Sequence, residues 1–254
     1  MSLEGKVAII TGGGTGIGFG IAEVLARKGV KLTLAQRRVE VAKSAAEKLH
    51  GADVLALGVD IRDPRAVEHM VEGTLERFRA IDILVNSASI TGTPAIAPLL
   101  KCPSEKVDAI VDANLKGTFY CSQAVARRMV QEGRGGSIVL ISSVGAYAAQ
   151  EFASLYCATK AAQIALARAM ALELAPYNIR VNCVAPGDIF TEASATITEE
   201  KLAGGGSSRY IRETPLGRRG TPADIGQAVA YLVSEDAEFV TGTTLLVDGG
   251  LLTY

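Results

Sequence analysis

Short apolar runs alternate along this chain with longer segments of helical periodicity, and this alternation constrains the fold more than any other feature. Residues 6–11 form a continuous apolar run, as in a strand that is buried on both faces of a parallel sheet. In residues 16–28 the apolar side chains recur at spacings of four, three and one, which indicates a helix. Strands separated by helices form right-handed crossover units, so the pattern predicts an α/β fold with a doubly wound parallel sheet of the Rossmann type.

The same patterns divide the rest of the chain. Strands are predicted at residues 6–11, 31–35, 54–59, 83–85, 137–141, 179–184 and 244–247. Helices are predicted at residues 16–28, 39–50, 63–79, 104–131, 154–175 and 222–234. No internal repeat or linker interrupts the chain, so we expect a single domain over residues 1–254.

The least regular stretch follows the predicted sixth strand and contains the flexible run Gly204-Gly205-Gly206-Ser207-Ser208. Because ligands bind beyond the carboxyl ends of the strands in open α/β sheets, we predict a small substrate lid over about residues 188–214. A surface loop without a role is the alternative.

Composition excludes several classes of protein. Hydrophobic residues make up 48% of the chain and the net charge is −1, which favours a large core and gives no reason to expect a nucleic-acid partner. The four cysteines lack the spacing of a metal site, so no metal is expected and free thiols in a reducing compartment are the simpler interpretation. No signal sequence or membrane-length apolar run is found, and the sequence therefore predicts a cytoplasmic protein without membrane association.

A glycine-rich turn joins the first strand to the first helix. Its glycines, Gly12, Gly16 and Gly18, follow the spacing GxxxGxG. Glycines let backbone N–H groups approach a phosphate closely, and the start of the helix adds a positive dipole end. We therefore predict a phosphate-binding turn, with a purely structural turn as the alternative.

The second strand ends in a sequence that bears on the choice of nucleotide. An acidic residue at this point usually binds the 2′-hydroxyl of NAD, whereas this chain has Arg37 and Arg38. Guanidinium groups suit a 2′-phosphate, so NADP(H) is predicted and NAD(H) is less favoured. The alternative is that both arginines are only the solvated start of a helix. Asp60, after the third strand, is placed either to reach the adenine edge or to cap the next turn.

Tyr156 and Lys160 lie one turn apart on the predicted helix 154–175. A nearby ammonium would lower the tyrosine pKa and suit the phenol to general acid–base catalysis, although a partly buried tyrosine beside a surface lysine has the same spacing. Ser142 and Ser143 end the preceding strand, where a hydroxyl can bind a substrate oxygen or simply terminate the strand. The only histidines, His50 and His69, lie far from these strand ends, which argues against a Ser-His-Asp hydrolase.

Taken in order, these features resemble the classical short-chain dehydrogenases/reductases over residues 6–250. The matching motifs are Thr11-Gly12…Gly16-Ile17-Gly18, Asn114-Leu115-Lys116-Gly117, Ser143, Tyr156…Lys160, Pro186-Gly187 and Thr241-Gly242…Val247-Asp248-Gly249-Gly250. The family serine lies thirteen residues before the tyrosine, which selects Ser143 over Ser142.

The resemblance implies an NADP(H)-dependent oxidoreductase that interconverts a ketone or aldehyde and an alcohol by hydride transfer. Tyr156 would exchange a proton with the substrate oxygen, and Ser143 would orient the carbonyl. Lys160 would lower the tyrosine pKa and hold the nicotinamide ribose. Asn114 would hold a water that connects Lys160 to solvent.

The cofactor-binding positions also follow from the resemblance. They are Gly12, Thr15, Gly16, Ile17, Gly18, Arg37, Arg38, Asp60, Ile61, Asn86, Ala88, Tyr156, Lys160, Pro186, Gly187, Ile189 and Thr191. Two positions depart from the family pattern: Ser89 replaces a glycine after the fourth strand, and Thr15 replaces a basic residue. The geometry near Ser89 is therefore open, and the NADP preference depends on Arg37 and Arg38 alone.

The residues leave the substrate open. A 3-oxoacyl thioester reductase and a sugar dehydrogenase both fit, and Arg127, Arg128 and Arg134 either dock an acidic carrier protein or form a solvated helix end. The expected pocket walls are residues 90–98, residues 144–155 and the lid. A non-catalytic nucleotide-binding scaffold is the alternative from another class, and the intact set of catalytic residues opposes it.

The resemblance further implies a homotetramer or homodimer that pairs through helices 104–131 and 154–175 and the C-terminal segment.

Overall fold

A seven-stranded parallel sheet forms the centre of the protein in the computed structural model, which describes residues 3–192, 194 and 214–253. The strands are β1 (Val7–Thr11), β2 (Lys31–Gln36), β3 (Val54–Gly58), β4 (Ile83–Asn86), β5 (Gly136–Ile141), β6 (Ile179–Pro186) and β7 (Thr244–Val247). Their order across the sheet is β3-β2-β1-β4-β5-β6-β7. The order reverses between β1 and β4, and in such sheets the ligand crevice lies beyond the carboxyl ends at this reversal.

Helices cover both faces of the sheet and connect its strands. They are α1 (Gly16–Ala26), α2 (Val39–Lys48), α3 (Pro64–Phe78), α4 (Ser104–Val111), α5 (Thr118–Glu132), α6 (Ser154–Leu174) and α7 (Pro222–Val233). The predicted doubly wound fold is confirmed, and the predicted elements end within a few residues of the observed ones. None of the helices in the described part of the chain is long and apolar enough to cross a membrane.

The prediction of one uninterrupted helix over residues 104–131 is wrong. A π-helical turn, Asp112–Gly117, separates α4 from α5. Within it the Asn114 carbonyl oxygen accepts hydrogen bonds from Thr118 Oγ1 at 2.8 Å and from Gln163 Nε2 on α6 at 2.8 Å. Periodicity along one segment carries no information about such a contact with another helix, so the interruption was not visible in the sequence.

Two apolar cores form because successive strand side chains point to opposite faces of the sheet. Ile10 and Leu34 pack on one face against α1, α2 and α7. Ile9 and Leu84 pack on the other face against α3, α5 and α6. Both faces of the central strands are thereby buried, which explains why those strands are apolar throughout.

The predicted substrate lid over residues 188–214 lies largely outside the described residues and stays a prediction. Its first part is described and runs from β6 back to the segment before α7. There Ile189 pairs with Gly220 in an isolated parallel bridge, and Gly220 N–H donates to Asp188 O at 2.9 Å.

Helices α1 and α7 pack closely because glycine lies at their contact. A Cβ atom on Gly20 would lie 2.2 Å from Pro222 Cβ, and one on Gly226 would lie 2.8 Å from Gly20 O. Neither separation is compatible with a real side chain, so the two helices can approach this closely only with glycine at both positions.

Gly20→Ala is expected to lower the free energy of unfolding by about 1–3 kcal/mol, because the added methyl overpacks this contact. Urea denaturation measures the change. Gly73→Ala on α3 is the matched control, since its Cβ would meet only Leu57 Cδ1 at 3.6 Å. There the better helix propensity of alanine should stabilise the protein by roughly 0.5–1 kcal/mol. Equal effects of the two substitutions would contradict the close-packing argument.

Candidate active site

The glycine-rich turn between β1 and α1 is built around positions that exclude side chains. Gly12 has φ +68°, and a Cβ there would lie 2.9 Å from Ala88 Cα. A Cβ on Gly18 would lie 2.2 Å from Gly12 O. The turn therefore has no side chains at Gly12 and Gly18. This lets a phosphate group approach the backbone N–H groups at the start of α1.

The ends of β1 and β4 are tied together by the Thr11 hydroxyl. Its Oγ1 accepts hydrogen bonds from the N–H groups of Ser87 at 3.1 Å and Ala88 at 3.2 Å. Asn86 Nδ2 donates to Ser122 Oγ at 3.0 Å, while Asn86 Oδ1 is buried without a hydrogen-bond partner. Ser89 is not among the described residues with positive φ, so its serine is accommodated without left-handed strain.

The end of β2 presents two cations and one unpaired acceptor. Arg37 and Arg38 are exposed, and Arg38 immediately precedes α2. Gln36 Oε1 is buried and has no hydrogen-bond partner in the structure. A buried carbonyl oxygen without a donor is costly, so Gln36 suits a ligand hydroxyl arriving at this strand end.

Asp60 shapes the turn after β3. It accepts hydrogen bonds from Arg62 N at 3.0 Å and Arg62 Nε at 2.9 Å. The hydrogen-bonded Arg62 side chain lowers the pKa of Asp60, and the nearby charge of Arg37 adds to this effect. The turn-forming alternative for Asp60 is therefore observed. Ile61 is buried and packs against Gly117.

The end of β6 passes close to the glycine-rich turn. A Cβ on Gly187 would lie 2.6 Å from Asp248 Cα, so Pro186 and Gly187 are held against the chain after β7. Ile189 is buried, and Thr191 Cγ2 lies 3.6 Å from the place a Gly16 Cβ would take. The predicted positions from β1 and β6 therefore lie side by side.

Arg219, which the sequence analysis missed, holds the segment after β6 in place. Its Nη2 donates to Asp188 Oδ1 at 2.7 Å and to Ser194 Oγ at 3.0 Å. Its guanidinium carbon lies 5.2 Å from the centroid of the Phe190 ring. The partners are 25 to 31 residues away in sequence, so no local pattern could have identified them.

The carboxyl edge of the sheet therefore fits a dinucleotide. The unpaired Gln36 Oε1 at the end of β2, the glycine-rich turn after β1 and the segment after β6 follow one another along this edge, in the order that an adenosine ribose, a pyrophosphate and a nicotinamide would occupy. The described residues contain no group of three or more His, Cys, Asp or Glu side chains placed to hold a metal ion.

Three hydroxyl groups meet at the mouth of this crevice. The hydroxyl groups of Ser143 and Thr91 lie close enough to Tyr156 to lower its pKa, and the sequence analysis placed Thr91 only in a pocket wall. Burial has the larger effect and raises the pKa of Tyr156. The net shift of the Tyr156 pKa is therefore upward, opposite to the direction expected from Lys160, because desolvation is the larger effect.

The two serines after β5 have different partners. Ser142 Oγ donates to Lys160 O at 2.7 Å, so its hydroxyl fastens α6 to the strand. Ser143 Oγ accepts the Gly145 N–H at 3.0 Å and faces Tyr156. Of the two serines, Ser143 is therefore the one whose hydroxyl group lies near Tyr156, and its contact with a substrate stays a prediction.

Lys160 is buried with only 3% of its surface exposed. Its Nζ donates to Ile141 O at 2.8 Å and to Gln163 Oε1 at 3.2 Å, and it lies 5.6 Å from the centroid of the Tyr156 ring. Burial lowers the pKa of Lys160 to about 8. The lysine thus titrates close to physiological pH, as residues at reactive sites often do.

Asn114 holds the loop that carries Thr91. Its Oδ1 accepts the Ile90 N–H at 2.7 Å, and its Nδ2 donates to Ile90 O at 3.1 Å and to Thr159 Oγ1 at 3.3 Å. The carboxamide therefore fixes the residue next to Thr91 through both backbone groups.

The two predicted walls of the substrate pocket are in contact. Ala97 N–H donates to Phe152 O at 2.8 Å, which joins the loop after β4 to the loop before α6. Phe152 has φ +58°, an uncommon conformation for a bulky residue, and its side chain is exposed. Tyr147 is also exposed, so the loop between β5 and α6 carries two exposed aromatic side chains.

Comparison with known proteins agrees with this arrangement. A family model described as enoyl-(acyl carrier protein) reductase matches residues 12–252. A sorbitol dehydrogenase of Cereibacter sphaeroides is 34% identical over 98% of this chain and 98% of its own. A 3-oxoacyl-[acyl-carrier-protein] reductase of Salmonella typhimurium is 36% identical over 99% of each chain.

A solved structure gives the same result at the level of the fold. A short-chain type dehydrogenase/reductase from Mycobacterium marinum superimposes with a TM-score of 0.90 at 33% identity, covering 100% of this chain and 98% of that one. The coverage is end to end in every case, and the glycine-rich turn, Ser143, Tyr156 and Lys160 lie together at one edge of the sheet. The chain therefore belongs to the classical short-chain dehydrogenase/reductase family and is an oxidoreductase that acts on CH–OH or carbonyl groups with a nicotinamide cofactor.

Proposed function

We propose that this protein is an NADP(H)-dependent oxidoreductase that interconverts a ketone or aldehyde and the corresponding alcohol, with Tyr156 as the general acid and base. The observation that carries the proposal is the position of the Tyr156 ring, 5.6 Å from the buried ammonium of Lys160 and close to the hydroxyl groups of Ser143 and Thr91. Such a cluster offers an acidic proton, a hydrogen-bond donor and a cation at one point, which is what carbonyl reduction needs.

In the direction of reduction, the substrate oxygen accepts a hydrogen bond from the Ser143 hydroxyl and a proton from Tyr156 Oη. The nicotinamide, when bound, supplies the hydride that adds to the carbonyl carbon. Loss of the proton leaves a phenolate on Tyr156, which the Lys160 ammonium stabilises by its positive charge. Oxidation of the alcohol reverses each step, with the phenolate as base.

The choice of NADP(H) depends on the end of β2. Arg37 and Arg38 are exposed there, and neither is paired with a carboxylate in the described ion pairs. Gln36, and not a carboxylate, ends the strand, and its unpaired Oε1 is suited to a ribose hydroxyl.

Sugar dehydrogenase and 3-oxoacyl thioester reductase activities are the narrower alternatives, since relatives with both kinds of name match equally well. The suggested docking patch for an acidic carrier gains no support. Arg127 faces Glu68 at 3.7 Å, Arg128 Nη1 donates to Gln131 Oε1 at 3.2 Å, and Arg134 pairs with Glu132. A non-catalytic scaffold would have no need of the intact hydroxyl cluster.

Tyr156→Phe is expected to lower kcat by about 10²- to 10⁴-fold, because it removes the transferred proton and leaves the ring in place. The assay follows NADPH absorbance with an acetoacetyl thioester, cyclic ketones and diketones, and follows aldoses and polyols in reverse. Tyr147→Phe, which removes an exposed hydroxyl nearby, is the matched control and should retain most of the activity. Equal activity of Tyr156→Phe and the wild type would exclude the proposed mechanism.

The double substitution Arg37→Ala, Arg38→Ala is expected to reduce kcat/KM for NADPH by about 10- to 100-fold, the worth of one or two charge-assisted hydrogen bonds. The value for NADH should change little. Arg27→Ala, at the opposite end of α1, is the control, because that arginine is exposed and distant from the turn. If the wild-type protein prefers NADH to NADPH, the proposal that Arg37 and Arg38 bind the 2′-phosphate is wrong.

We propose a homotetramer or homodimer. Exposed apolar side chains lie on α5 (Phe119), on α6 (Leu172) and on the edge strand β7 (Leu246), where a second copy would bury them. Light scattering should therefore give two or four times the chain mass of 26.5 kDa, and Leu172→Glu should shift the population to smaller species. A monomer at micromolar concentration would contradict this proposal.

A further inference from the structure

Gln163 is buried beside Lys160 and uses every hydrogen-bonding atom of its side chain. Only 1% of its surface is exposed. Its Oε1 accepts from Lys160 Nζ at 3.2 Å, and its Nε2 donates to Asn114 O at 2.8 Å and to Thr118 Oγ1 at 3.0 Å. The opposite orientation of the amide would place Nε2 against the ammonium and Oε1 against a carbonyl oxygen, so the partners fix the orientation.

The Asn114 carbonyl oxygen is fully occupied by protein donors. It accepts Thr118 Oγ1 as well as Gln163 Nε2, both at 2.8 Å, and a carbonyl oxygen has two lone pairs. The connection between Lys160 and Asn114 therefore runs through the side chain of Gln163. This differs from the water that the family resemblance assigns to Asn114.

Gln163 also limits where the ammonium can lie. Lys160 Nζ has three N–H groups, of which one is directed to Ile141 O on β5 and one to Gln163 Oε1 on its own helix. The ammonium is thereby held between the strand and the helix, 5.6 Å from the centroid of the Tyr156 ring. A buried cation is stable only when such acceptors surround it.

We propose that Gln163 is a positioning residue of the reaction, which anchors the Lys160 ammonium and takes the place of the water between this lysine and Asn114. This inference rests on the proposed function, in which Lys160 stabilises the tyrosine phenolate. The Gln163 amide donates both of its N–H groups and accepts at its oxygen, so it holds the lysine in one place. Unlike a water molecule, it cannot relay a proton from Lys160 to Asn114 without changing its tautomer.

Few titratable groups face Lys160. Tyr156 lies on its own helix, and Cys183 lies on β6, where burial raises the thiol pKa to about 12 and keeps it neutral. Among the described residues no carboxylate contributes to the shift of the lysine, whose pKa is lowered to about 8 by burial. The hydrogen bond to Gln163 Oε1 favours the charged form, so its removal lowers the lysine pKa further.

The test uses two substitutions with opposite expected effects. Gln163→Met keeps the length of the side chain and removes the acceptor, which should lower the Lys160 pKa. Gln163→Glu places a carboxylate against the ammonium, which should raise this pKa by about 1 unit or more. Gln123→Glu on the exposed face of α5 is the matched control and should leave the lysine unchanged.

The primary readout needs no turnover. NMR titration of protein with ¹³Cε-labelled lysine gives the Lys160 pKa directly, the resonance being assigned by its absence in Lys160→Met. The second readout is the pH dependence of kcat for reduction, which should fall as pH rises through the Lys160 pKa, since the pKa of Tyr156 is raised above its ordinary value of 10.0. This fall should occur at lower pH in Gln163→Met and at higher pH in Gln163→Glu.

Opposite shifts of the lysine titration in the two variants would support the inference, and a titration unchanged in Gln163→Met would overturn it. If Gln163→Glu does not fold, Gln163→Met alone still decides, because it buries no charge. The Tyr156→Phe assay decides the proposed function separately. An inactive wild type whose lysine titration still shifts in both variants would overturn the proposed function and retain the anchoring role.

Discussion

The buried ammonium of Lys160 is the interaction on which the candidate site depends. A cation without solvent must be surrounded by acceptors, and the structure supplies them from β5 through Ile141 O and from α6 through Gln163 Oε1. Ser142 fastens the same turn of α6 to the end of β5 through Lys160 O. Satisfying this one charge therefore fixes the strand and the helix relative to each other, and with them Ser143 and Tyr156.

At the nucleotide end of the site, steric exclusion of side chains fixes the shape of the glycine-rich turn. Gly12 and Gly18 lie where any Cβ would strike backbone, so the turn before α1 stays open to a phosphate. Thr11 ties this turn to the end of β4 through two backbone N–H groups. Both ends of the site are thus built on the carboxyl edge of one sheet, which sets their separation without any flexible linker.

The loops beside the candidate site carry exposed aromatic side chains. Tyr147 and Phe152 are exposed between β5 and α6, Phe190 is exposed after β6, and Arg219 holds the segment after β6 through its hydrogen bond to Asp188. Relatives of nearly equal identity bear names as different as sorbitol dehydrogenase and 3-oxoacyl-[acyl-carrier-protein] reductase. A fold that is shared by enzymes acting on different substrates accounts for this range, because substrate choice depends on the residues of the site and not on the fold alone.

The sequence by itself determined the parallel doubly wound sheet, because strands buried on both faces must be apolar throughout and helices must alternate with them. Its local patterns also predicted the glycine-rich turn, while the resemblance to the family selected Ser143, Tyr156 and Lys160 as candidate site residues. Tertiary structure alone decided the π-helical turn at Asn114, the proximity of Thr91 to Tyr156 and the hydrogen bonds of Gln163 to Asn114 and Thr118, since each joins segments far apart in sequence. It also reversed the expected direction of the Tyr156 pKa shift, because burial depends on everything that packs around a residue and cannot be derived from its neighbours along the chain.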